Sequence, residues 1–242
     1  YGARRIGEGD LDYRIDIKRK DEIGFLAYEF NEMTARLKKA KEMEIEKAIM
    51  DEQIEIAKDI QKGLKPSNKL SFGCIEVKGY SRPAKGVGGD YYDYVVVEPP
   101  WIATLISDVS GKGIPASLLM VMIRTVFKSL IKQEIYSAKR IVESINKTMA
   151  GEIAIDRFVT MFFMFINTEN GEVHFVNAGH SPLFMYRKEI NRCTIMRIMG
   201  FPIGLDEDSE YSQGKTFLKK GDIILLNTDG IIEARNPKKE EY

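Results

Sequence analysis

The feature that most constrains this chain is a pair of acidic, glycine-flanked clusters at the two ends of one apolar stretch. Gly88-Gly89-Asp90-Tyr91-Tyr92-Asp93 precedes it and Asp108-Val109-Ser110-Gly111-Lys112-Gly113 follows it. Between them, Tyr94–Ile106 is rich in Val, Ile and Thr and is broken by Glu98-Pro99-Pro100. β-Branched and aromatic residues interrupted by prolines spell two strands joined by a turn. Such a hairpin brings Asp90 and Asp108 to the same end of a sheet. Far downstream, Ile223–Asn227 has a short buried-strand pattern and runs into Thr228-Asp229-Gly230. Three carboxylates, Asp90, Asp108 and Asp229, are therefore expected at strand ends beside glycines, where the backbone can approach a bound group closely.

Carboxylates without Cys or His partners suit hard divalent cations, which prefer oxygen ligands. Two such ions, about 3.5–4 Å apart, activate a water and clamp a phosphoryl group in transfer. A single Asp-Gly is ordinary turn chemistry. It is the three clusters in one order that point beyond turns.

The rest of the sequence alternates strand and helix patterns. Cys74–Tyr80 reads as a strand. After Ile114-Pro115-Ala116, with proline suited to a helix start, Leu118–Ile131 is apolar over much of a helical circumference and is expected to be buried. A second helix spans roughly Ala138–Met149, and a loop over Ile153–Asp156 ends the pair. Strands are expected at Val159–Ile166, Val173–Asn177, Pro182–Tyr186, Thr194–Ile198, Thr216–Leu218 and Ile223–Asn227, with Asn170-Gly171 as a hairpin turn. Runs of strands around one helix pair argue α+β layering.

The first 64 residues differ in character. Asp21-Glu22-Ile23-Gly24 opens a helix with acidic residues in its first turn. Leu26, Phe30, Met33, Leu37 and Ala40 recur at spacings of four and three, a heptad seam. Beyond Ala40 the seam fails and Ile45, Ile49, Ile56 and Ile60 line a shifted stripe, a register break in a coiled coil. Leu64-Lys65-Pro66-Ser67 ends the helix, since proline cannot continue it.

With 36 basic and 36 acidic residues the chain has no net charge, which gives no footprint for nucleic acid, and none is expected as a partner. The 2 cysteines, Cys74 and Cys193, lack CxxC spacing and imply neither a disulfide framework nor zinc. No run of about 18 apolar residues suggests a bilayer span, and the chain by itself is expected to be soluble.

In their order, the three acidic motifs resemble the metal-dependent protein phosphatases (PPM) in their bacterial SpoIIE-type branch. So do Ile60-Gln61-Lys62-Gly63-Leu64-Lys65-Pro66, Arg157-Phe158-Val159-Thr160-Met161-Phe162, Asn177-Ala178-Gly179-His180-Ser181-Pro182 and Gly200-Phe201-Pro202-Ile203-Gly204. The resemblance implies a β-sandwich flanked by helices and a Ser/Thr protein phosphatase with two Mn²⁺ or Mg²⁺ ions. By motif, Asp90, Asp108 and the backbone carbonyl of Val109 would be metal ligands, and Asp229 would hold the second ion. A STAS-type anti-sigma-factor antagonist is the implied phosphoprotein substrate. The family also carries a last strand and a further ligating Asp, which find no match after Asp229. Asp93 is open between support of the metal site and a structural role. Arg82, Lys85 and Lys112 are candidates for a phosphate-binding cation, and His180 is read as fixing its turn.

Gly9-Asp10-Leu11, Asp21-Glu22-Ile23-Gly24 and Phe30-Asn31-Glu32-Met33 resemble a HAMP domain, a dimeric signalling module found just inside the membrane in receptors. This implies a homodimer through the helical segment. It also implies an upstream transmembrane segment and a place on the cytoplasmic side of the inner membrane. The expected organisation is a partial HAMP domain at 1–40, a coiled-coil linker at 41–66 and a phosphatase domain at 67–242, lacking its C-terminal end. A catalytically inactive dimeric scaffold is the competing reading. Gly88-Gly89-Asp90 also echoes the diguanylate cyclase signature, but Tyr-Tyr-Asp follows where that family has Glu-Phe.

Overall fold

The structure is a computed structural model and describes residues 2–67, 69–83, 86–133, 137–153, 157–234 and 236. It divides into two compact units, Tyr1–Ile56 and Ala57–Tyr242.

In the first unit, α1 (Gly2–Gly7) is followed by an irregular connector and then by α2 (Glu22–Leu64), which continues into the second unit. The connector is pinned to α2 by Asn31. Its side-chain amide accepts from the Ile15 N–H at 2.8 Å and donates to the Ile15 carbonyl at 3.0 Å. Gly24 is required where the connector meets the helix, because a Cβ there would lie 1.9 Å from the Arg19 carbonyl oxygen. Gly24, Ala27 and Thr34 are buried, whereas the seam residues Leu26, Met33 and Leu37 are 61%, 45% and 49% exposed. Packing within the chain therefore uses a different face of α2 from the heptad seam.

The second unit opens with a hairpin, β1 (Lys69–Phe72) and β2 (Ile75–Lys78). The strand expected over Cys74–Tyr80 is β2, and it pairs with β1, which was not expected. Gly73 and Cys74 make the turn between them, and the alternation that marks β2 also extends backwards through Leu70 and Phe72.

A five-stranded antiparallel sheet forms the centre, in the order β3-β4-β5-β6-β9. Its strands are β3 (Tyr91–Val96), β4 (Trp101–Val109), β5 (Val159–Asn167), β6 (Glu172–Ala178) and β9 (Gln213–Phe217). A three-stranded sheet, β10-β7-β8, is made from β7 (Leu183–Arg187), β8 (Arg192–Met196) and β10 (Ile223–Leu225). The helix pair α3 (Ile114–Ile131) and α4 (Ala138–Ala150) covers the other face of the central sheet. Pro115 lies in the first turn of α3, and the Ser137 side chain caps α4 by accepting from the Arg140 N–H. The loop expected at Ile153–Asp156 lies outside the described residues beyond Ile153.

Strand β5 explains the layering. Successive side chains point to opposite faces of a strand. Met161, Phe163 and Phe165 belong to the core under the helices, and Phe162, Met164 and Ile166 belong to the core between the sheets. Both faces are buried, so β5 reads in sequence as one continuous apolar run. Helix α3 is long and apolar enough to cross a membrane by length and composition, contrary to the expectation that no such stretch exists. Its Ala116, Leu119, Met120, Ile123 and Phe127 are packed in the core under the sheet.

Candidate metal centre

The β3–β4 register pairs Tyr91 with Ser107, so the next pair outward would be Asp90 and Asp108. The hairpin therefore delivers the two carboxylates side by side. Asp229 arrives at the start of the short helix α5 (Asp229–Ile232), just after β10 in the other sheet. The Asp108 carboxyl contacts those of both Asp90 and Asp229. Burial, followed by the charges of Asp90 and Asp229, pushes the Asp108 pKa up to about 7. Burial also raises Asp90, opposed by hydrogen bonds from Asp108 and Thr228 and by the charge of Lys65. The Thr228 hydroxyl donates to Asp90 Oδ2 at 3.3 Å.

Asp108 stands between Asp90 and Asp229; Asp90 and Asp108 are half-buried and Asp229 is exposed, the three repel one another as anions, and a divalent cation among them relieves that repulsion. All their donors are oxygens, which fits Mg²⁺ or Mn²⁺. The backbone adds a further feature. A Cβ on Gly89 would lie 2.9 Å from the Val109 carbonyl oxygen. Glycine thus lets the Asp90 loop close onto the carbonyl that follows Asp108. Among the described residues no group of three or more His, Cys, Asp or Glu is already arranged around one ion position. The donor chemistry fits an ion, and the side chains must draw together to ligate it.

The other expected residues separate clearly. Asp93 is buried away from this cluster. It accepts from the Tyr91 hydroxyl and the Tyr94 N–H, and pairs with Lys128 Nζ of α3 at 2.7 Å. Arg82 and Lys112 are exposed, and Lys85 lies outside the described residues. A cation not singled out from the sequence, Lys65, feels the Asp90 charge, and its Nζ donates to Ser81 Oγ at 2.7 Å. Its pKa is lowered by burial, against the pull of Asp90. Lys65 lies in the Ile60–Pro66 motif, which carries the family resemblance and, at Leu64–Ser67, a helix end, without marking a site residue.

His180 is held in its turn by Asn177, which accepts from the His180 N–H at 2.7 Å and donates to its carbonyl at 3.0 Å. Its Nδ1 lies 2.8 Å from Thr160 Oγ1, and Nε2 is buried with no hydrogen-bond partner among the described residues. Burial pushes its pKa down to about 4, so the ring is neutral near pH 7. His174 pairs with Glu172 at 2.6 Å and packs edge-on against Trp101, at the opposite end of β6 from the Asn177 turn.

Comparison with known proteins bears on the fold and the family. The phosphoserine phosphatase RsbU of Bacillus subtilis is 33% identical over 183 residues, covering 76% of this chain and 54% of RsbU. The chain spans about half the length, or less, of the curated relatives it matches. Among solved structures, the SiaA-PP2C domain of Pseudomonas aeruginosa superposes with a TM-score of 0.62 at 17% identity, covering 77% of this chain and 74% of that one. The PP2C phosphatase domain of SpoIIE from Bacillus subtilis, with a fragment of its regulatory domain, gives a TM-score of 0.53 at 23% identity, with coverage of 60% and 41%. These likenesses establish a PP2C-type fold. Residues 2–39 match the HAMP domain. Since residues 101–242, more than half of the chain, match Stage II sporulation protein E (SpoIIE), the chain belongs to the SpoIIE family, with a HAMP domain at its N-terminal end.

Proposed function

We propose that this chain is the output phosphatase of a HAMP-bearing membrane receptor and hydrolyses phosphoserine or phosphothreonine in a partner protein. The observation that carries this reading is the convergence of Asp90, Asp108 and Asp229 from two sheets. Asp90, Asp108 and the Val109 carbonyl would hold one of two Mn²⁺ or Mg²⁺ ions, and Asp229 the second. Bound there, the ions supply an acidified water and neutralise phosphoryl charge. The chain's own groups then orient and balance. Asp90 and Asp108 fix the ligand geometry from adjacent strands, Thr228 steadies Asp90, and Lys65 partly offsets the negative charge from the protein side. Hydrolysis by water needs no Ser or Cys nucleophile.

RsbU, a phosphoserine phosphatase by name, supports the substrate class, and a STAS-type anti-sigma-factor antagonist is the substrate we favour. The organisation proposed is a partial HAMP domain at 1–40, a linker at 41–66 and a phosphatase domain at 67–242. The exposed Leu26-Met33-Leu37 seam supports a homodimer through the helical segment, and the HAMP match supports a receptor at the cytoplasmic face of a membrane.

The test is Mn²⁺-dependent hydrolysis of an aryl phosphate, with calorimetric Mn²⁺ binding, by the chain and by Asp108→Asn. Expected is metal-dependent turnover that falls at least about a hundredfold in the variant, as when a principal charge-stabilising group is removed. Absence of both turnover and Mn²⁺ binding from the unaltered chain overturns the reading in favour of an inactive scaffold.

A further inference from the structure

We infer that Gln61 is a positioning residue for the Asp90 metal ligand: from the last turns of α2, its side-chain amide clamps both backbone groups of Gly88. The inference rests on the metal reading proposed above. Gln61 Nε2 donates to the Gly88 carbonyl at 2.8 Å, and Gln61 Oε1 accepts from the Gly88 N–H at 3.2 Å. The pair reproduces one rung of a sheet ladder with a side chain in place of a strand. Gly88 lies just before β3, outside its ladder, which begins at Tyr91. A primary amide is suited to this because it offers a donor and an acceptor in one plane.

Several features give the clamp a role at the metal centre. Gln61 is only 5% exposed, so its amide is committed to Gly88 rather than shared with water. Gly88 and Gly89 form a segment with unusual backbone freedom. Yet this segment must place Asp90 beside Asp108 and bring Gly89 against the Val109 carbonyl. The helix end bearing Gln61 is itself fixed. The Leu64 carbonyl accepts from Arg124 Nε of α3 at 2.7 Å, and Lys65 Nζ donates to Ser81 Oγ at 2.7 Å. Gln61 therefore acts from an anchored element on a glycine segment that would otherwise choose among many conformations, two residues before the ligand.

Gln61→Met tests this, since methionine keeps the length and helix propensity while removing both hydrogen bonds. Mn²⁺ affinity would be measured by calorimetry on the whole chain. In parallel, kcat and KM for an aryl phosphate would be followed against Mn²⁺ concentration, and thermal unfolding recorded in EDTA. The expected result is an Mn²⁺ dissociation constant raised roughly tenfold or more, the usual effect of removing a group that orients a metal ligand. At saturating Mn²⁺, kcat should return towards that of the unaltered chain with KM unchanged. An unchanged Mn²⁺ affinity, or lost turnover that excess Mn²⁺ does not restore, overturns the inference. Should Gln61→Met fail to fold, Gln61→Glu keeps the acceptor and loses the donor, and the same readings apply. Failure of both variants to fold makes Gln61 structural and also overturns it. Asp108→Asn separates the two levels. If that variant loses Mn²⁺ binding while Gln61→Met matches the unaltered chain, the metal reading stands and only the role of Gln61 falls.

Discussion

At the scale of single residues, the acidic motif Asp90-Tyr91-Tyr92-Asp93 shows how strand geometry separates chemically similar groups. Asp93 lies on β3, and the period of two puts it on the face of Tyr91 and Val95, towards the helix layer. There it is 2% exposed and meets Lys128, which is 33% exposed at its side chain. Removing Asp93 costs the partly exposed Lys128 its partner and strands the buried Tyr91 hydroxyl. Asp93→Ala should therefore destabilise the domain by about 2 kcal/mol in urea denaturation. Its Mn²⁺ affinity should match that of the unaltered chain. A fall in metal affinity at unchanged stability would instead place Asp93 in support of the site. The sequence shows that Asp90 and Asp93 are both acidic and three apart. It cannot show where β3 begins, and that single boundary decides that Asp90 serves the cluster and Asp93 the core.

At the scale of elements, the strands and helices were legible wherever one periodicity ran unbroken. The β3–β4 hairpin was readable from its proline turn, α3 from its apolar circumference, and β5 from an apolar run too short for most helices. What escaped was the role of chain ends and connectors. Gln61 sits in the last turns of α2 and Lys65 just beyond its end, where the sequence signals only that a helix stops. Their contacts with Ser81 and Gly88 depend on loops that carry no periodicity. The turn between β6 and β7 is another connector with chemical content. His180 there is 8% exposed, and its pKa falls from 6.5 to about 4, first through burial and against the charge of Asp229. Its folded pKa lies below its unfolded one, so between about pH 6.5 and 4 the unfolded chain binds the extra proton. Its contribution is complete above pH 6.5 and is lost as pH falls towards 4. The total is of order 3 kcal/mol. In EDTA, the unaltered chain should lose more stability between pH 7.5 and 5 than His180→Gln does. Equal losses would mean that the ring is not held neutral by the fold.

At the scale of the whole chain, the two matched regions differ in how they bury their apolar surface. The SpoIIE-matched region closes two cores around its central sheet, with Phe127, Phe163 and Met120 fully buried in one and Phe162 and Val173 in the other. The helical region leaves Leu26, Met33 and Leu37 exposed, in a heptad pattern that a single chain does not bury. Ile45, Ile49 and Ile56, on the shifted stripe, are each more than half exposed as well. A second copy pairing in parallel would cover the seam by knobs-into-holes packing. Burial of a leucine contributes about 1.5–3 kcal/mol, and in a symmetric dimer each substitution acts twice. Leu37→Glu should thus weaken self-association by at least about 3 kcal/mol, roughly a hundredfold in Kd. Light scattering over a concentration series would read this as a shift from dimer to monomer. The same substitution alters none of the residues of the Asp90 cluster, so Mn²⁺ binding should persist in the monomer. A variant that remains dimeric at every concentration would mean that another surface, not the heptad seam, joins the two copies.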